Sequence, residues 1–200
     1  MSLSAQLAHS FFSPLKGKTV TFLVDDRHAN LLLARGIGLL SAVATRNLAI
    51  FDIDAFFSSN SDEILSALPP SVARSMRVYI PEPGSSVETE IVRLYSTDSE
   101  VFVIESLNTF YHLLSSSGVG SRSRKLAFAM ASLSYLASTT GKSVLFVMYR
   151  RERVMRADKG GSISNLSDAT VSVEATGSEL LMKCEQGTAW PGGRFLLRLP

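Results

Sequence analysis

The chain has 200 residues, of which 46% are hydrophobic and 19% are charged, and its formal net charge at pH 7 is +2. This length and composition predict one compact α/β domain over residues 1–200, since such a chain can bury roughly 70% of the surface that its unfolded form exposes. The single cysteine, Cys184, excludes an internal disulfide and favours a reducing compartment, for which we expect the cytoplasm. No apolar run reaches the roughly 20 residues of a bilayer span, so we expect no membrane association.

Apolar periodicity predicts strands that alternate with helices along the first half of the chain. In chain order the predicted elements are a strand at 18–24, a helix at 29–44, a strand at 47–53, a short helix ending at 68, a strand at 77–80, a helix at 87–95 and a strand at 101–104. The first strand stops at two acids, Asp25 and Asp26, and the second runs into FDIDAF, which contains Asp52 and Asp54. Acidic residues therefore follow several predicted strands.

The second half begins with a crossover and ends with alternating strands. After the strand at 101–104 come a Ser/Gly loop at 115–121, a helical run at 126–138 and an apolar strand at 143–149. Strand, loop, helix and strand in this order are typical of a right-handed parallel crossover. From Ala169 onward, apolar and polar residues alternate between turn signals, which indicates an antiparallel hairpin. Together the elements predict a mostly parallel sheet flanked by helices, with an antiparallel C-terminal hairpin.

Charge is unevenly distributed along the chain. Residues 121–160 hold nine basic and two acidic side chains, a local charge of +7, so that the rest of the chain carries −5. Such segregation produces the long-range field that attracts a polyanion, whereas the alternative interpretation is a solvated basic face. The basic residues that we expect to contact nucleic acid are Arg122, Arg124, Lys125, Arg150, Arg151, Arg153, Arg156 and Lys159.

The crossover resembles that of RecA and RadA-type recombinase ATPases. In these proteins an apolar strand ends in Asp-Ser, a glycine-bearing loop and an Arg-rich helix follow, and the next strand leads into a nucleic-acid-binding loop. Here Glu105-Ser106 stands at the Asp-Ser position, and KCEQGTAWPGGRFLLRL is similar to the final hairpin of the family. The resemblance covers almost the whole chain and implies a RecA-like fold. It also implies that the segment 150–159 holds single-stranded nucleic acid, with DNA favoured, beside the loop at 115–121.

The phosphate-binding loop of that family is missing from this sequence. The family holds ATP with GxxxxGK[ST] between the first strand and the first helix, where backbone N–H groups wrap the phosphates. Here the connection reads VDDRHANLLL, without glycine, lysine or a Ser/Thr at the helix start. A carboxylate about 4 Å from a phosphate charge costs on the order of 4 kcal/mol at an effective dielectric near 20. We therefore expect neither ATP binding nor any other cofactor.

The resemblance thus implies a degenerate nucleotide site, formed by Asp25, Asp26, Asp54 and Glu105. Glu105 replaces the acid that would hold Mg²⁺ through water, and Asp54 falls near the position of the catalytic glutamate. We assign no catalytic residue and no metal ligand, and we expect a pseudo-ATPase that assists recombination or repair by binding nucleic acid or a recombinase. Its expected partners include a recombinase or paralogue, within a homo- or hetero-oligomer. An Elongator-like subunit of an RNA-binding ring is the alternative within the resemblance.

Two other interpretations of the strand-end acids stay open. Asp52, Asp54 and Glu105 can serve the fold alone, by capping strands or by hydrogen bonding to neighbouring loops. They can also gather around a divalent cation at the carboxyl ends of the strands, which predicts a metal-dependent phosphoester hydrolase. The DxD of FDIDAF resembles that of haloacid dehalogenase-type phosphatases, but Phe56 stands where those enzymes have Thr or Val.

Overall fold

The computed structural model describes residues 5–66, 68–82, 86–116, 122–150 and 166–199. The helices are α1 Ala5–Phe12, α2 Arg27–Val43, α3 Phe56–Ser59, α4 Ser61–Ser66, α5 Pro70–Ser75, α6 Val87–Tyr95, α7 Leu107–Ser116 and α8 Arg122–Thr140. The strands are β1 Thr19–Val24, β2 Leu48–Asp52, β3 Met76–Tyr79, β4 Val101–Glu105, β5 Ser143–Tyr149, β6 Ala169–Thr176, β7 Glu179–Gln186 and β8 Arg194–Arg198. Short 3₁₀ turns cover Ser13–Leu15 and Pro191–Gly193.

The strands form one eight-stranded sheet in the order β3-β2-β4-β5-β1-β6-β7-β8. From β3 to β6 every neighbouring pair is parallel, and β6, β7 and β8 pair antiparallel. This arrangement confirms the predicted mostly parallel sheet with an antiparallel C-terminal hairpin. It also confirms that the strands ending near Val24, Ile53 and Ile104 run in one direction, so that their carboxyl ends share an edge.

Burial explains why the parallel strands could be predicted from the sequence. Every residue of β1, β2 and β4 is buried, as expected for strands covered by helices on both faces, and their sequences are continuous apolar runs. One core lies between the sheet and helices α1 to α5. The other lies between the opposite face and helices α6 to α8. In contrast, β8 alternates exposed and buried residues, because it is an edge strand whose outer face lies open.

An aromatic cluster ties the start of the chain to its end. Phe11 in α1 packs against Phe12, Phe22, Trp190 and Phe195, with ring centroids between 4.9 and 6.5 Å apart. The indole Nε1 of Trp190 donates a hydrogen bond to the Phe11 carbonyl at 3.2 Å. Since aromatic rings bury large apolar areas, this cluster fixes α1 and the C-terminal hairpin onto one face of the sheet.

Several boundaries differ from the sequence-based prediction. Helices α1, α5 and α7 were not predicted, and residues 115 and 116, assigned to a Ser/Gly loop, close α7 instead. Helix α8 begins at Arg122 rather than at 126, so the basic residues placed before the helix form its first turn. The remainder of the predicted loop, residues 117–121, lies outside the described residues, as does the basic segment 151–159. None of the helices in the described ranges is long and apolar enough to cross a membrane.

Candidate functional site at the carboxyl ends of the strands

The parallel strands end at an edge that carries three acid-bearing segments, at the ends of β1, β2 and β4. In open α/β sheets ligands bind at this edge, beyond the carboxyl ends of the strands. Register pairs Asp52 at the end of β2 with Glu105 at the end of β4, and Asp54 follows two residues later. Asp25 and Asp26 follow β1, which is separated from β4 by β5. The structure therefore forms two groups of acids along one edge.

The first group lies at the start of α2, where a phosphate would be held in a nucleotide-binding protein. Asp26 is the N-cap of α2, and its Oδ1 accepts a hydrogen bond from the Ala29 N–H at 2.8 Å. Asp25 lies 3.2 Å from Arg150 Nε, and a second guanidinium nitrogen of Arg150 lies 2.8 Å from Glu185 Oε1. A helix N-terminus attracts anions because its N–H groups and its dipole point outward. Here the protein's own carboxylates occupy that position.

The second group begins with two acids that organise the turn after β2. Asp52 is fully buried, and its carboxylate accepts hydrogen bonds from the Phe57 N–H at 3.0 Å and the Ser58 N–H at 2.8 Å. The Ser58 hydroxyl donates to the same carboxylate. Asp54 accepts longer hydrogen bonds from the Phe56 N–H, at 3.3 Å, and from the Thr109 hydroxyl, at 3.4 Å. Asp52 thus binds the backbone at the start of α3. This is the role that we expect for it if the strand-end acids serve the fold alone.

Glu105 lies in a buried polar network beneath this edge. It is 3% exposed, and its Oε1 accepts a hydrogen bond from Asn30 Nδ2 at 2.8 Å. The same amide nitrogen donates to the Tyr149 hydroxyl at 2.6 Å. The Tyr149 N–H in turn donates to Asn108 Oδ1 at 3.0 Å. Tyr149 therefore directs its hydroxyl into the interior.

This environment alters the protonation of Glu105. Burial raises the pKa of the carboxyl from its ordinary 4.5 to about 8; the hydrogen bond from Asn30 opposes the rise, whereas the charges of Asp54 and Asp52 add to it. Glu105 therefore keeps its proton at neutral pH. Burial also raises the pKa of Tyr149 to about 12, so that the phenol stays protonated.

A small cavity separates Asn30 and Glu105 from the apolar core below. It measures about 10 Å³ and is otherwise lined by apolar side chains, including Leu33, Ile37 and Phe57. This is close to the space that one water molecule requires. Asn30 Oδ1 is buried and has no hydrogen-bond partner among the described residues. The cavity is thus far too small for a nucleotide.

The basic residues predicted to bind nucleic acid divide into two sets. Arg122, Arg124 and Lys125 lie in the first turn of α8, with Arg124 exposed and Lys125 half-buried. Arg150 directly follows β5 and is held between Asp25 and Glu185. The others, Arg151, Arg153, Arg156 and Lys159, lie outside the described residues. Across the described ranges, no three His, Cys, Asp or Glu side chains are grouped so as to hold a metal ion.

Sequence reasoning missed Asn30, Asn108 and Glu185, which complete these contacts. One feature of the sequence pointed to Asn30: it opens the apolar run NLLL, within the part of α2 that packs against the protein interior. An amide there must find a buried partner, since an unpaired polar group in the interior is costly. Nothing in the sequence identified that partner, which lies 75 residues away.

Comparison with solved structures identifies the fold. The chain superimposes on the crystal structure of the RadB recombinase with a TM-score of 0.67 and 14% sequence identity, over 94% of this chain and 92% of that one. At this identity the likeness shows the fold, which is RecA-like, and leaves function to the site. No protein-family model and no curated protein matches the sequence.

Proposed function

We propose that this RecA-like domain is a non-catalytic paralogue of the RadA type, which assists recombination or repair by binding single-stranded nucleic acid, a recombinase, or both. The proposal combines the absence of a phosphate-binding sequence after β1 with a structural likeness to the RadB recombinase. DNA is the favoured nucleic acid because the resemblance is to recombinases.

One observation carries the pseudo-ATPase part of this proposal. The N-terminus of α2 is capped by Asp26, and Asp25 beside it is paired with Arg150. A triphosphate at this position would meet two carboxylates and no lysine. It would also compete with an existing hydrogen bond to the Ala29 N–H.

Calorimetry with Mg-ATP tests this part directly. We expect no binding at micromolar affinity, and no ATP hydrolysis above the rate without protein. Asp26→Asn is an informative second variant, because asparagine still caps a helix while one negative charge is removed. We expect it not to bind ATP either, since the glycine-rich cradle and the lysine are still missing. Micromolar affinity in the wild-type protein would contradict the proposal.

The nucleic-acid part is supported by charge and by position. The +7 of residues 121–160 lies in a chain whose remainder carries −5. The basic segment 150–159 begins directly after β5, at the same edge as the strand-end acids. The first turn of α8, which holds Arg122, Arg124 and Lys125, precedes β5 in the crossover. Arginine suits a polynucleotide because it binds phosphates bidentately and stacks on bases.

A charge-matched pair of variants tests this part. Arg151→Ser/Arg153→Ser removes two cations from the basic segment, whereas Arg74→Ser/Arg77→Ser removes two at the end of α5 and on β3, the strand at one edge of the sheet. Titration of labelled single strands should show weaker binding for the first variant alone. If about three cations contact phosphates, log affinity should fall with log salt at a slope of roughly −2 in the wild type.

The outcomes separate the alternatives. Equal loss in both variants would mean that net charge, and not this segment, attracts the nucleic acid. Unaltered affinity in both would place the contact elsewhere. Preference for structured RNA over single-stranded DNA would favour the Elongator-like ring subunit. Binding of a recombinase without any affinity for nucleic acid would retain the accessory role and reject the direct contact.

A further inference from the structure

The first cation after β5 is already paired within the protein. Arg150 Nε lies 3.2 Å from Asp25 Oδ1, and Arg150 Nη2 lies 2.8 Å from Glu185 Oε1. These two nitrogens form one edge of the planar guanidinium, the fork that can bind two oxygens of a carboxylate or a phosphate. Here two carboxylates share that edge. The part of Arg150 that is best suited to a phosphate is therefore occupied.

The two acids reach Arg150 from separate parts of the chain. Asp25 follows β1, and Glu185 lies near the end of β7, which is separated from β5 by β1 and β6. Among the described residues, neither carboxylate has another hydrogen bond or ion pair. Both acids are thus directed to the same guanidinium and to no other group in the described ranges.

The end of β5 does not depend on these ion pairs for its position. The Arg150 N–H donates to the Val24 carbonyl at 2.9 Å, and the Tyr149 N–H is bound by Asn108. The paired side chains are 41–45% exposed, and ion pairs at such exposure contribute little to folding stability. The main effect of the two carboxylates is therefore on the charge and the availability of Arg150.

Charge at this point opposes the binding of a polyanion. Arg150, Asp25 and Glu185 together carry −1, at the start of the basic segment 150–159. A phosphate that approaches Arg150 has to replace at least one carboxylate, and it is repelled by both. Because the ion pairs are half-exposed, solvent and salt weaken them, and a phosphate can compete. The two acids therefore lower the affinity for a polyanion without abolishing it.

We propose that Asp25 and Glu185 compete with nucleic-acid phosphates for Arg150, and that they thereby limit the affinity of the domain for single strands. This inference rests on the proposed binding of nucleic acid and adds an internal regulation of that binding. It also distinguishes Arg150 from the other basic residues of the segment, since Arg150 contacts phosphate fully only after its carboxylates are displaced.

Replacement of both acids by amides tests the proposal. Asp25→Asn/Glu185→Gln removes the two negative charges and keeps side chains of nearly the same size. Asp98→Asn/Glu100→Gln is the matched control, because both residues are exposed and lie just before β4, at the amino ends of the parallel strands. Each double variant removes two negative charges, so any general attraction to a polyanion increases equally in both.

Titration of a labelled oligo-dT strand at several salt concentrations gives the readout. Asp25→Asn/Glu185→Gln should bind more tightly than the wild type and the control. If Arg150 gains one phosphate contact, the slope of log affinity against log salt should become steeper by about 0.7. The advantage over the control should then grow about fivefold for each tenfold fall in salt concentration. Circular dichroism should show that both variants are folded.

Arg150→Gln shows whether the gain passes through this guanidinium. It is introduced into the wild type and into Asp25→Asn/Glu185→Gln, as in a mutant cycle. The loss of affinity should be larger in the second background, because only there is Arg150 free of the two carboxylates. Equal losses in the two backgrounds would mean that the acids do not limit Arg150, and would overturn the proposal.

The remaining outcomes separate this inference from the proposed function. If the wild type binds the strand and Asp25→Asn/Glu185→Gln binds like the control, the inference is overturned and the proposed function stands. Weaker binding by Asp25→Asn/Glu185→Gln than by the wild type would mean that the acids position Arg150 for phosphate, and would also overturn it. If no protein in the series binds the strand, both proposals fail. Binding that appears only after the two acids are replaced would support the inference most directly.

Discussion

Replacing the buried acid at the end of β4 should change how the stability of the protein depends on pH. Glu105 has a pKa of about 8 in the folded protein, against 4.5 when exposed. Below pH 4.5 the carboxyl is protonated in both the folded and the unfolded chain, so its titration does not change the free energy of unfolding. Between these values the unfolded chain releases the proton and the folded chain keeps it. The free energy of unfolding therefore falls as pH rises, and it stops falling above pH 8.

The magnitude follows from the distance between the two pKa values. The interval from 4.5 to about 8 covers about 3.5 pH units, at about 1.4 kcal/mol each, or at most about 5 kcal/mol. This is a large fraction of the 5–15 kcal/mol that is typical of whole domains, so the effect should be measurable even if relaxation around Glu105 halves it. Glu105→Gln removes the titration and keeps an oxygen that can accept the hydrogen bond from Asn30.

Urea unfolding between pH 5 and pH 8.5 measures the effect. Trp190 is the single tryptophan and is 6% exposed, so its fluorescence reports unfolding. The free energy of unfolding of the wild type should fall relative to that of Glu105→Gln by several kcal/mol across this range. Glu174→Gln, at an exposed carboxylate of β6, is the control and should follow the wild type.

The comparison between variants isolates Glu105, since every other titrating group is common to both curves. Parallel curves for the wild type and Glu105→Gln would refute the reasoning. They would mean that Glu105 ionises in the folded protein at its ordinary pKa, with the Asn30 amide and any water in the adjacent cavity solvating the charge. If Glu174→Gln also lost the fall in the free energy of unfolding with pH, the cause would be net charge and not Glu105.

Other features of the fold give three further predictions, all measured by urea unfolding followed with circular dichroism. Phe11→Ala should lower the free energy of unfolding by about 3–5 kcal/mol, because it empties the centre of the aromatic cluster; a loss below about 1 kcal/mol would contradict that packing. Asp26→Ala should cost about 1 kcal/mol by removing the cap of α2, whereas Asp26→Asn should cost only a few tenths; equal losses would argue against capping. Gly187→Ala should destabilise far more than Gly177→Ala: both glycines have positive φ, but a Cβ at 187 would lie 2.2 Å from the Asp168 carbonyl oxygen, and one at 177 would meet nothing within 4 Å.

The sheet could be predicted from the sequence because its central strands are buried on both faces. Such strands are short apolar runs that end abruptly at polar residues, and the acids after β1, β2 and β4 marked those ends. Helix α7 escaped prediction because its last residues, Ser115 and Ser116, belong to the Ser/Gly stretch that indicates a loop. The start of α8 was misplaced because its first turn is basic and lacks a capping acid.

The candidate site could be predicted only in part. Chain direction alone brought Asp25, Asp54 and Glu105 to one edge, since parallel strands end together. The partners of these acids are set by contacts between distant residues: Arg150 meets Glu185 across 35 positions, and Asn30 meets Glu105 across 75. Local patterns carry no information about such pairs. The pKa of Glu105 likewise depends on burial that only the assembled fold provides.

The acids at this edge show how the fold compensates negative charge without a ligand. Asp26 is stabilised by the N-terminus of α2, Asp25 by Arg150, and Asp52 by the N–H groups at the start of α3. Glu105 avoids the cost of a buried charge by keeping its proton. A nucleotide bound here would add further negative charge, which only a cation could balance. Each of these four carboxylates is therefore compensated by the protein itself, and none of them requires a ligand to balance its charge.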